Sequence, residues 1–304
     1  MFGYAARKKS GKRQVTRYEP TLQRLENRVV LSTFKVNTTL DTVAVDLKKG
    51  KDATGHISLR SAIQAANARG GSNTIILRGG TFTLTIAGAN EDNAATGDLD
   101  ITRGKLTIKG RQAATTIIDA DAVDRVFHVL GGKVTISGVT IQNGLALRLT
   151  GPAAQGGGLL NSGGQVTLSS VVVANNRALG TNGLAGADGI GGVGVRVGPD
   201  GGNGGAGSEA QGGGIFNAAG SLSIINSTIT SNRALGGDGG NGGEGGFAQV
   251  LASPPDANGL SAVGGKGGDG GAGGPARGGG VFNAPGASLI LNTTTFSNNQ
   301  AVGG

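Results

Sequence analysis

The sequence predicts an all-β protein: a right-handed parallel β-helix with a short N-terminal capping helix and long glycine-rich inserts. Three observations lead to this prediction. Glycine supplies 62 of the 304 residues, whereas the chain has no Trp and only two Tyr. After residue 70, brief β-branched runs between Gly or Asp turns replace any helical periodicity. Three similar units then recur, and a repetitive coil can bury small aliphatic residues layer by layer where a globule would lack core volume.

Residues 1–33 form a basic N-terminal segment, which we interpret as an export or sorting segment without a fold of its own. Residues 1–36 contain nine Lys or Arg and two Asp or Glu, and the rest of the chain is nearly neutral. The positive charge therefore belongs to an arm rather than a folded groove, so we predict no nucleic-acid partner. The absence of cysteine excludes disulfides. No apolar run is long enough for a transmembrane helix or for the apolar part of a signal peptide.

The predicted β-helix domain covers residues 34–304 and starts with a strand, FKVNTT, followed by a capping helix near 58–69. Leu59, Ala62, Ile63 and Ala66 follow the i, i+3, i+4, i+7 spacing of one helical face. Ser58 is placed to cap the helix start, and Gly70 is placed to end it. This helix should cover the open N-terminal end of the coil, where apolar interior and strand edges would otherwise be exposed.

Three units near 156–180, 212–237 and 278–304 establish the repeat. They read GGGLLNSGGQVTLSSVVVANNRALG, GGGIFNAAGSLSIINSTITSNRALGG and GGGVFNAPGASLILNTTTFSNNQAVGG. A unit of this size cannot bury its own apolar side chains. We therefore predict that each unit is one turn whose strands pair with equivalent strands above and below. Leu168, Ile224 and Leu291 should then point inward.

Aligned Gly and Asn residues are the predicted structural positions of the repeat. Asn in a tight corner can adopt left-handed backbone geometry, and its amide can hydrogen-bond the next turn. Aligned Asn residues at the corners are what a stacked Asn ladder requires. These positions are Gly158, Gly214 and Gly280, then Asn161, Asn217 and Asn283, and finally Asn176, Asn232 and Asn299.

Two glycine-rich inserts, 180–211 and 236–277, separate the units, and three interpretations of them remain open. They could be solvated, disordered loops. They could instead be extended three-residue helices of polyproline II geometry packed side by side, because parts run in GGX triplets such as GGDGGNGGEGG. Calcium-binding nonapeptide repeats are a third alternative, disfavoured because the apolar residue after x-Asp-x is missing.

Several motifs resemble exported surface proteins of planctomycete-type bacteria. TLQRLENRVVLS resembles their N-terminal LExRxLLS segment through Leu25, Glu26, Arg28, Val30, Leu31 and Ser32. ISLRSAIQAAN resembles the CSLREAIxAAN block, with Ile57 in place of Cys and Ser61 in place of Glu. The GGG-apolar-apolar-Asn units resemble choice-of-anchor and polymorphic-outer-membrane-protein repeats. The resemblance implies a pectin-lyase-like fold and a non-catalytic, adhesin-like scaffold at the cell surface or outside the cell.

Enzymes also occur on pectin-lyase-like folds, so a polysaccharide lyase or glycan-binding module is the alternative function. A lyase would want carboxylates for Ca²⁺ and an Arg or Lys base on neighbouring turns. The weak candidates for this are Asp98, Asp100 and the cluster Asp119, Asp121, Asp124 and Arg125. We interpret IDADAVDR as a turn between coils, and His56 and His128 have no recognisable nucleophile or orienting acid. The sequence therefore predicts no catalytic residue, cofactor or metal site. The expected partners are extracellular glycans or other envelope proteins.

Overall fold

The computed structural model describes residues 1–3, 31–88, 91–147, 153–249 and 261–304. The chain is all-β: in the described ranges, one α-helix accompanies parallel strands that stack turn upon turn. The arrangement is compatible with the predicted β-helix. Most of the N-terminal motif lies outside the described residues, but Leu31 already begins the first strand, three residues before the predicted start of the domain.

Three long sheets surround the main core, and every pairing within them is parallel and joins neighbouring turns. Sheet 1 contains Leu31–Lys35, Ser72–Ile76, Lys105–Lys109, Lys133–Ser137, Gln165–Ser169, Ser221–Ile225 and Ser288–Asn292. Sheet 2 contains Gly80–Thr83, Thr116–Asp119, Thr140–Gln142, Val172–Ala174, Thr228–Thr230 and Thr295–Ser297. Sheet 3 contains Leu99–Ile101, Phe127–Val129, Leu159–Asn161, Ile215–Asn217 and Val281–Asn283.

Alternate residues of sheet 1 fill the core, because successive side chains of a strand point to opposite faces. Leu168 pairs with Ile224 on the next turn, and Ile224 pairs with Leu291. Leu168 and Ile224 are fully buried, as predicted, but Leu291 is 48% exposed. Leu291 keeps the predicted inward register through its pairing with Ile224, and it is exposed because no described strand covers the last described turn.

The helix α1, Leu59–Arg69, confirms the predicted capping element. Its predicted face is buried and joins the same apolar core as the first turns of the sheets. The Ser58 hydroxyl accepts a hydrogen bond from the Ser61 amide at 3.0 Å, and the Ser61 hydroxyl accepts one from the Ser58 amide at 2.9 Å. Ser61 thus completes a capping box in which Glu is the usual partner.

Arg60 anchors this helix to the loop that precedes sheet 3. The side chain is fully buried and forms a two-pronged ion pair with Asp41, with N–O distances of 2.6 and 3.0 Å. Its remaining N–H groups donate to the carbonyl oxygens of Ala94, Gly97 and Asp98. The guanidinium is therefore a structural cross-link between the cap and the first turn of sheet 3.

Two Asn ladders run along the coil at the predicted positions. Asn161 donates to Asn217 at 2.7 Å, and Asn217 donates to Asn283 at 2.6 Å. In the second ladder, Asn176 donates to Asn232, and Asn232 donates to Asn299, both at 2.9 Å. These bonds confirm that side chains at equivalent positions of the repeat stack from turn to turn.

At the corner that carries the second ladder, the left-handed residue is not the ladder Asn itself, as the sequence had suggested, but the residue before it. Asn175, Ser231 and Asn298 have φ angles of 58°, 56° and 54°. A left-handed residue at this point turns the backbone, so the next side chain faces inward. The ladder Asn then lies inside the corner, where Asn176 and Asn232 are fully buried.

The aligned glycines make room for the second ladder. A Cβ on Gly158 would lie 2.9 Å from Asn176 Nδ2, and one on Gly214 would lie 2.9 Å from Asn232 Cγ. Gly280 stands in the same relation to Asn299. Glycine and Asn are therefore coupled across each turn, which explains why they recur together in the repeat.

Replacing Asn217 by Ala should lower the free energy of unfolding by about 2 kcal/mol, because Asn161 and Asn283 would each lose a buried amide partner. The exposed Asn241 is a matched control, and its replacement by Ala should change stability by less than about 0.5 kcal/mol. Urea unfolding of both variants measures the difference. Equal midpoints would contradict a stabilising ladder.

Sheets 4 and 5 leave the coil together and form a stem for the inserts. Their facing side chains are alanines: Ala146, Ala178 and Ala234 in sheet 4, and Ala154 and Ala210 in sheet 5, all buried in a separate small core. Such small side chains let the two sheets approach closely. Sheet 4 contains Leu145–Leu147, Arg177–Leu179, Arg233–Leu235 and Gln300–Val302, and sheet 5 contains Ala153–Gln155, Glu209–Gln211 and Ala276–Arg277.

Each insert continues outward from sheet 4 and returns to sheet 5 as a pair of extended rows. We name them the first outgoing row (181–189), the first return row (198–208), the second outgoing row (236–247) and the second return row (263–275). Beyond the rows, Gly192–Val193 and Ala248–Gln249 form a two-stranded sheet. Residues 250–260 of the second insert lie outside the described residues.

Backbone hydrogen bonds join all four rows, and the bonds recur every third residue. One chain of bonds runs from the Gly271 amide to Gly240, from the Gly240 amide to Gly205, and from the Gly205 amide to Leu184, at 2.7–2.8 Å. The neighbouring triplets repeat it. This period is that of polyproline II helices packed side by side, so the disordered-loop interpretation was wrong for the described rows.

The GGX pattern follows from this packing. In the second outgoing row, the second Gly of a triplet is buried and the X residue is exposed, as at Gly240 and Asn241. A Cβ on Gly240 would collide with the Leu184 carbonyl of the row beneath. The first outgoing row has no described row beneath it, and there Thr181, Leu184 and Ala187 occupy the equivalent positions.

Candidate functional site

The predicted acidic residues fall into two separate groups. Asp119 and Asp121 belong to a turn, because the Asp119 carboxylate accepts hydrogen bonds from the Gln142 and Asn143 side chains and from the Asp121 amide. Asp121 itself has a positive φ of 47°. These contacts satisfy Asp119 locally, so this half of the predicted cluster has a structural role.

Asp124 and Arg125 lie against a different carboxylate, Asp98. Arg125 Nε is 3.1 Å from Asp98 Oδ2 and 3.9 Å from Asp124 Oδ1. The Asp98 side chain is 8% exposed, and that of Arg125 is 20% exposed. The predicted candidates Asp98, Asp124 and Arg125 are thus brought together, with one cation shared between two acids.

A cluster that the sequence did not predict lies beside this group and is centred on His128. Its Nδ1 atom is 3.4 Å from Asp100 Oδ1 and 3.7 Å from Asp92 Oδ1. Its Nε2 atom is 2.9 Å from the Ser162 hydroxyl. Both ring nitrogens therefore have a polar partner, and three acidic or hydroxyl side chains converge on one imidazole.

Sheet 3 positions two of these residues, and the loop before it positions a third. Asp100 and His128 are direct neighbours on adjacent turns of sheet 3. Ser162 follows the strand Leu159–Asn161 one turn further along. Asp92 comes from the loop shaped by Glu91, whose carboxylate accepts hydrogen bonds from the amides of Asn93, Ala95 and Thr96.

Asp100 is the most constrained member of the cluster. The residue is fully buried, and its Oδ2 atom accepts a hydrogen bond from the Ala94 amide at 2.9 Å. Its Oδ1 atom is buried and has no hydrogen-bond partner. A buried carboxylate oxygen without a partner is costly and therefore requires a structural or functional explanation.

The alignment of two segments could have revealed this pair from the sequence. GKLTIKG from Gly104 and GKVTISG from Gly132 have the same pattern and pair in register as strands of sheet 1. Extending that alignment backward places Asp100 beside His128. Ser162 and Asp92 carry no comparable signal, because they follow from loop geometry rather than from the repeat.

Burial perturbs the acids around this cluster. Burial raises the pKa of Asp98 to about 8, opposed by the neighbouring Arg125 and reinforced by nearby acids. Burial also raises the pKa of Asp100, opposed by the neighbouring His128 and the Ala94 amide, and that of Asp124, opposed by Arg125. Several acids that share one buried region are a recurrent property of functional sites.

The stability of the protein should fall as pH rises from about 4 to about 8. In this window the folded chain holds a proton on Asp98 that the unfolded chain releases near the ordinary pKa of 3.8, so the free energy of unfolding decreases with pH. Asp98→Asn removes the titrating group and should flatten that slope. Thermal unfolding in chelator-containing buffer at pH 5 and pH 8 measures it. An unchanged slope in the variant would refute the assignment.

A groove of about 420 Å³ opens between α1 and the Asp92 loop. Its wall combines apolar groups, including Ala44, Leu47 and Ala68, with amide, hydroxyl and charged side chains, namely Gln64, Asn67, Asp92, Asn93, Thr102 and Arg103. Asp92 thus borders both the groove and the His128 cluster. A ligand in this groove would have direct access to the Asp92 carboxylate.

The fold and the ladders define the molecule as an all-β chain of stacked, parallel turns. No protein-family model matches the chain, and no curated protein or solved structure matches it either. Across the described parts of the chain, no helix combines the length and apolar character of a membrane span.

Proposed function

We propose that the chain is an exported, non-catalytic scaffold at the bacterial cell surface, built as a right-handed parallel β-helix. The right hand is expected because parallel strands joined by crossovers adopt that hand almost without exception. The proposed role is to hold the glycine-rich rows as a rigid plate on one side of the coil. Extracellular glycans or other envelope proteins are the partners that such a plate would contact.

The ordered register of the rows is the observation that carries this proposal. Side chains at X positions are exposed, and they lie over one another from one insert to the next. The Asn182 side chain accepts the Asp238 amide at 3.0 Å, and the Asp188 side chain accepts the Glu244 amide at 2.8 Å. On the return rows, Asp200 and Asn203 accept the amides of Lys266 and Asp269 in the same way. A fixed array of exposed polar groups suits multivalent surface contact.

Surface exposure in the producing cell tests the proposal. Intact cells should show protease-accessible and label-accessible protein, and fractionation should recover it with the envelope or the medium. A cytoplasmic protein that is inaccessible to label in intact cells, while a known surface marker is labelled, would overturn the proposal. The outcome does not depend on identifying a ligand.

Glycan binding is the second candidate, and the amide and carboxylate side chains in the groove beside Asp92 favour it. Amide and carboxylate side chains that line a groove can orient sugar hydroxyls through hydrogen bonds. Binding to a panel of extracellular polysaccharides should weaken in Asn93→Ala and persist in Asn292→Ala, an exposed control outside the groove and the glycine-rich rows. Equal binding in both variants would place any glycan contact away from the groove. Cleavage of polygalacturonate with Ca²⁺ would instead favour a lyase.

A further inference from the structure

We propose that His128, Asp100 and Asp92 form a binding site for one divalent cation of the Zn²⁺ class. This inference concerns a site outside the proposed scaffold role and does not depend on it. The three candidate ligand atoms are His128 Nδ1 and one carboxylate oxygen each from Asp100 and Asp92. All three lie within 4.8 Å of one another.

The two distances from the imidazole to the carboxylates are close to those of tetrahedral coordination. Ligand atoms bound to zinc at about 2.0–2.2 Å in tetrahedral geometry lie about 3.4 Å apart. Nδ1 of His128 is 3.4 Å from Asp100 Oδ1 and 3.7 Å from Asp92 Oδ1. One imidazole and two carboxylates leave a fourth position for water or a ligand from the neighbouring groove.

The buried oxygen of Asp100 is the second, independent observation. Asp100 is fully buried, and its Oδ1 atom, the one nearest the imidazole, has no hydrogen-bond partner. Oδ2 is held by the Ala94 amide, so the carboxylate cannot easily rotate Oδ1 toward another donor. A cation between Oδ1 and Nδ1 would give this oxygen the partner it lacks.

The surroundings also orient the imidazole as a ligand. Metal-bound histidines usually donate their second N–H to an oxygen, which fixes the tautomer and the ring orientation. The Ser162 hydroxyl lies 2.9 Å from His128 Nε2 and can accept that N–H, which leaves the Nδ1 lone pair directed at the two acids. The nitrogen ligand favours Zn²⁺ over Ca²⁺ or Mg²⁺, which prefer shells of oxygen atoms.

Metal titration of tag-free, chelator-treated full-length protein tests the site. We expect Zn²⁺ to bind with one-to-one stoichiometry in calorimetry, and Co²⁺ to give the visible absorption bands of a tetrahedral ion. Asp92→Asn should lower affinity at least tenfold, and its exposed side chain should leave folding intact. Ser162→Ala should weaken binding by about 10- to 100-fold, as expected for an orienting partner.

The two histidines supply a matched pair of variants. His56→Gln should retain wild-type Zn²⁺ affinity, whereas His128→Gln should lose it; these are the only histidines in the chain. Thermal unfolding gives a second measurement, because Zn²⁺ should raise the midpoint of the wild type and of His56→Gln but not of Asp92→Asn. Failure of the wild type to bind, or equal affinity in the wild type and Asp92→Asn, would overturn the proposal.

Discussion

Arg60→Ala should lower the free energy of unfolding by about 3–5 kcal/mol, the expected cost of leaving a buried ionic partner uncompensated. The Asp41 side chain is only 2% exposed, so its carboxylate would stay buried without a counter-charge. Three carbonyl oxygens, those of Ala94, Gly97 and Asp98, would also lose a donor. Denaturant unfolding of the purified variant measures the loss.

The exposed Arg111 supplies the control for this variant. Arg111→Ala removes the same charge from the surface and should change stability by less than about 0.5 kcal/mol. Arg60→Lys keeps the charge but loses the two-pronged geometry, so its free energy of unfolding should lie between those of Arg60→Ala and Arg111→Ala. A cost below 1 kcal/mol for Arg60→Ala would show that the ion pair does not hold the cap to the first turn.

The second large effect is expected at Gly271, in the second return row. A Cβ at this position would collide with the Gly205 carbonyl of the row beneath, and its three nearest atoms are all backbone, so no flexible side chain can move aside. Gly271→Ala should therefore destabilise the rows by about 3 kcal/mol, at the upper end of the overpacking range. Limited proteolysis of the insert and chemical unfolding both report this loss.

The neighbouring residue Gly270 gives the opposite prediction. A Cβ there would lie 3.8 Å from the Gly240 carbonyl oxygen, which is an ordinary contact. Gly270→Ala should therefore leave stability unchanged or raise it by about 0.4–1 kcal/mol, through the smaller conformational freedom of the unfolded chain. Similar effects of the two adjacent substitutions would contradict the packed-row arrangement.

The stacked turns could be predicted from the sequence because stacking requires similar residues at equivalent positions of each repeat unit. Like residues contact like residues from turn to turn, so Asn161, Asn217 and Asn283 align in the sequence as they do in space. The helix could also be predicted from the sequence, since its cap and its buried face depend on residues close together in the chain. The corner geometry was assigned one residue too late, because the left-handed Asn175 and the ladder residue Asn176 are adjacent Asn residues.

The order of the inserts could not be decided from sequence because no row supplies its own hydrogen-bond partners. Gly240 is held by acceptors and donors in two other rows, Gly205 on one side and Gly271 on the other. Taken alone, a GGX segment is equally compatible with a flexible linker. The GGX period made packed polyproline II rows one of three alternative structures for the inserts. The choice among these structures depends on how the coil spaces neighbouring rows, which the insert sequence alone does not specify.

The His128 cluster shows a different limit. Catalytic or metal-binding function was discounted because the sequence shows no recognisable nucleophile or orienting acid for His128 and no zinc-ligand spacing. The coil brings Asp100 from the turn below and Ser162 from the turn above, and the loop adds Asp92. Which residues of neighbouring turns lie close together depends on the register of the sheets. The sequence predicted this register only for the three repeat units after residue 155.

Amide hydrogen exchange of the glycine-rich rows tests the central claim, that the inserts are a hydrogen-bonded plate set in register by the β-coil. In ¹⁵N-labelled protein, the amides of Gly205, Gly240 and Gly271 should exchange slowly, because each donates to the row beside it at 2.7–2.8 Å. The Gly270 amide has no acceptor among the described residues and should exchange fast. Protection with a period of three residues is the predicted result, and exchange of all these amides at random-coil rates would contradict it.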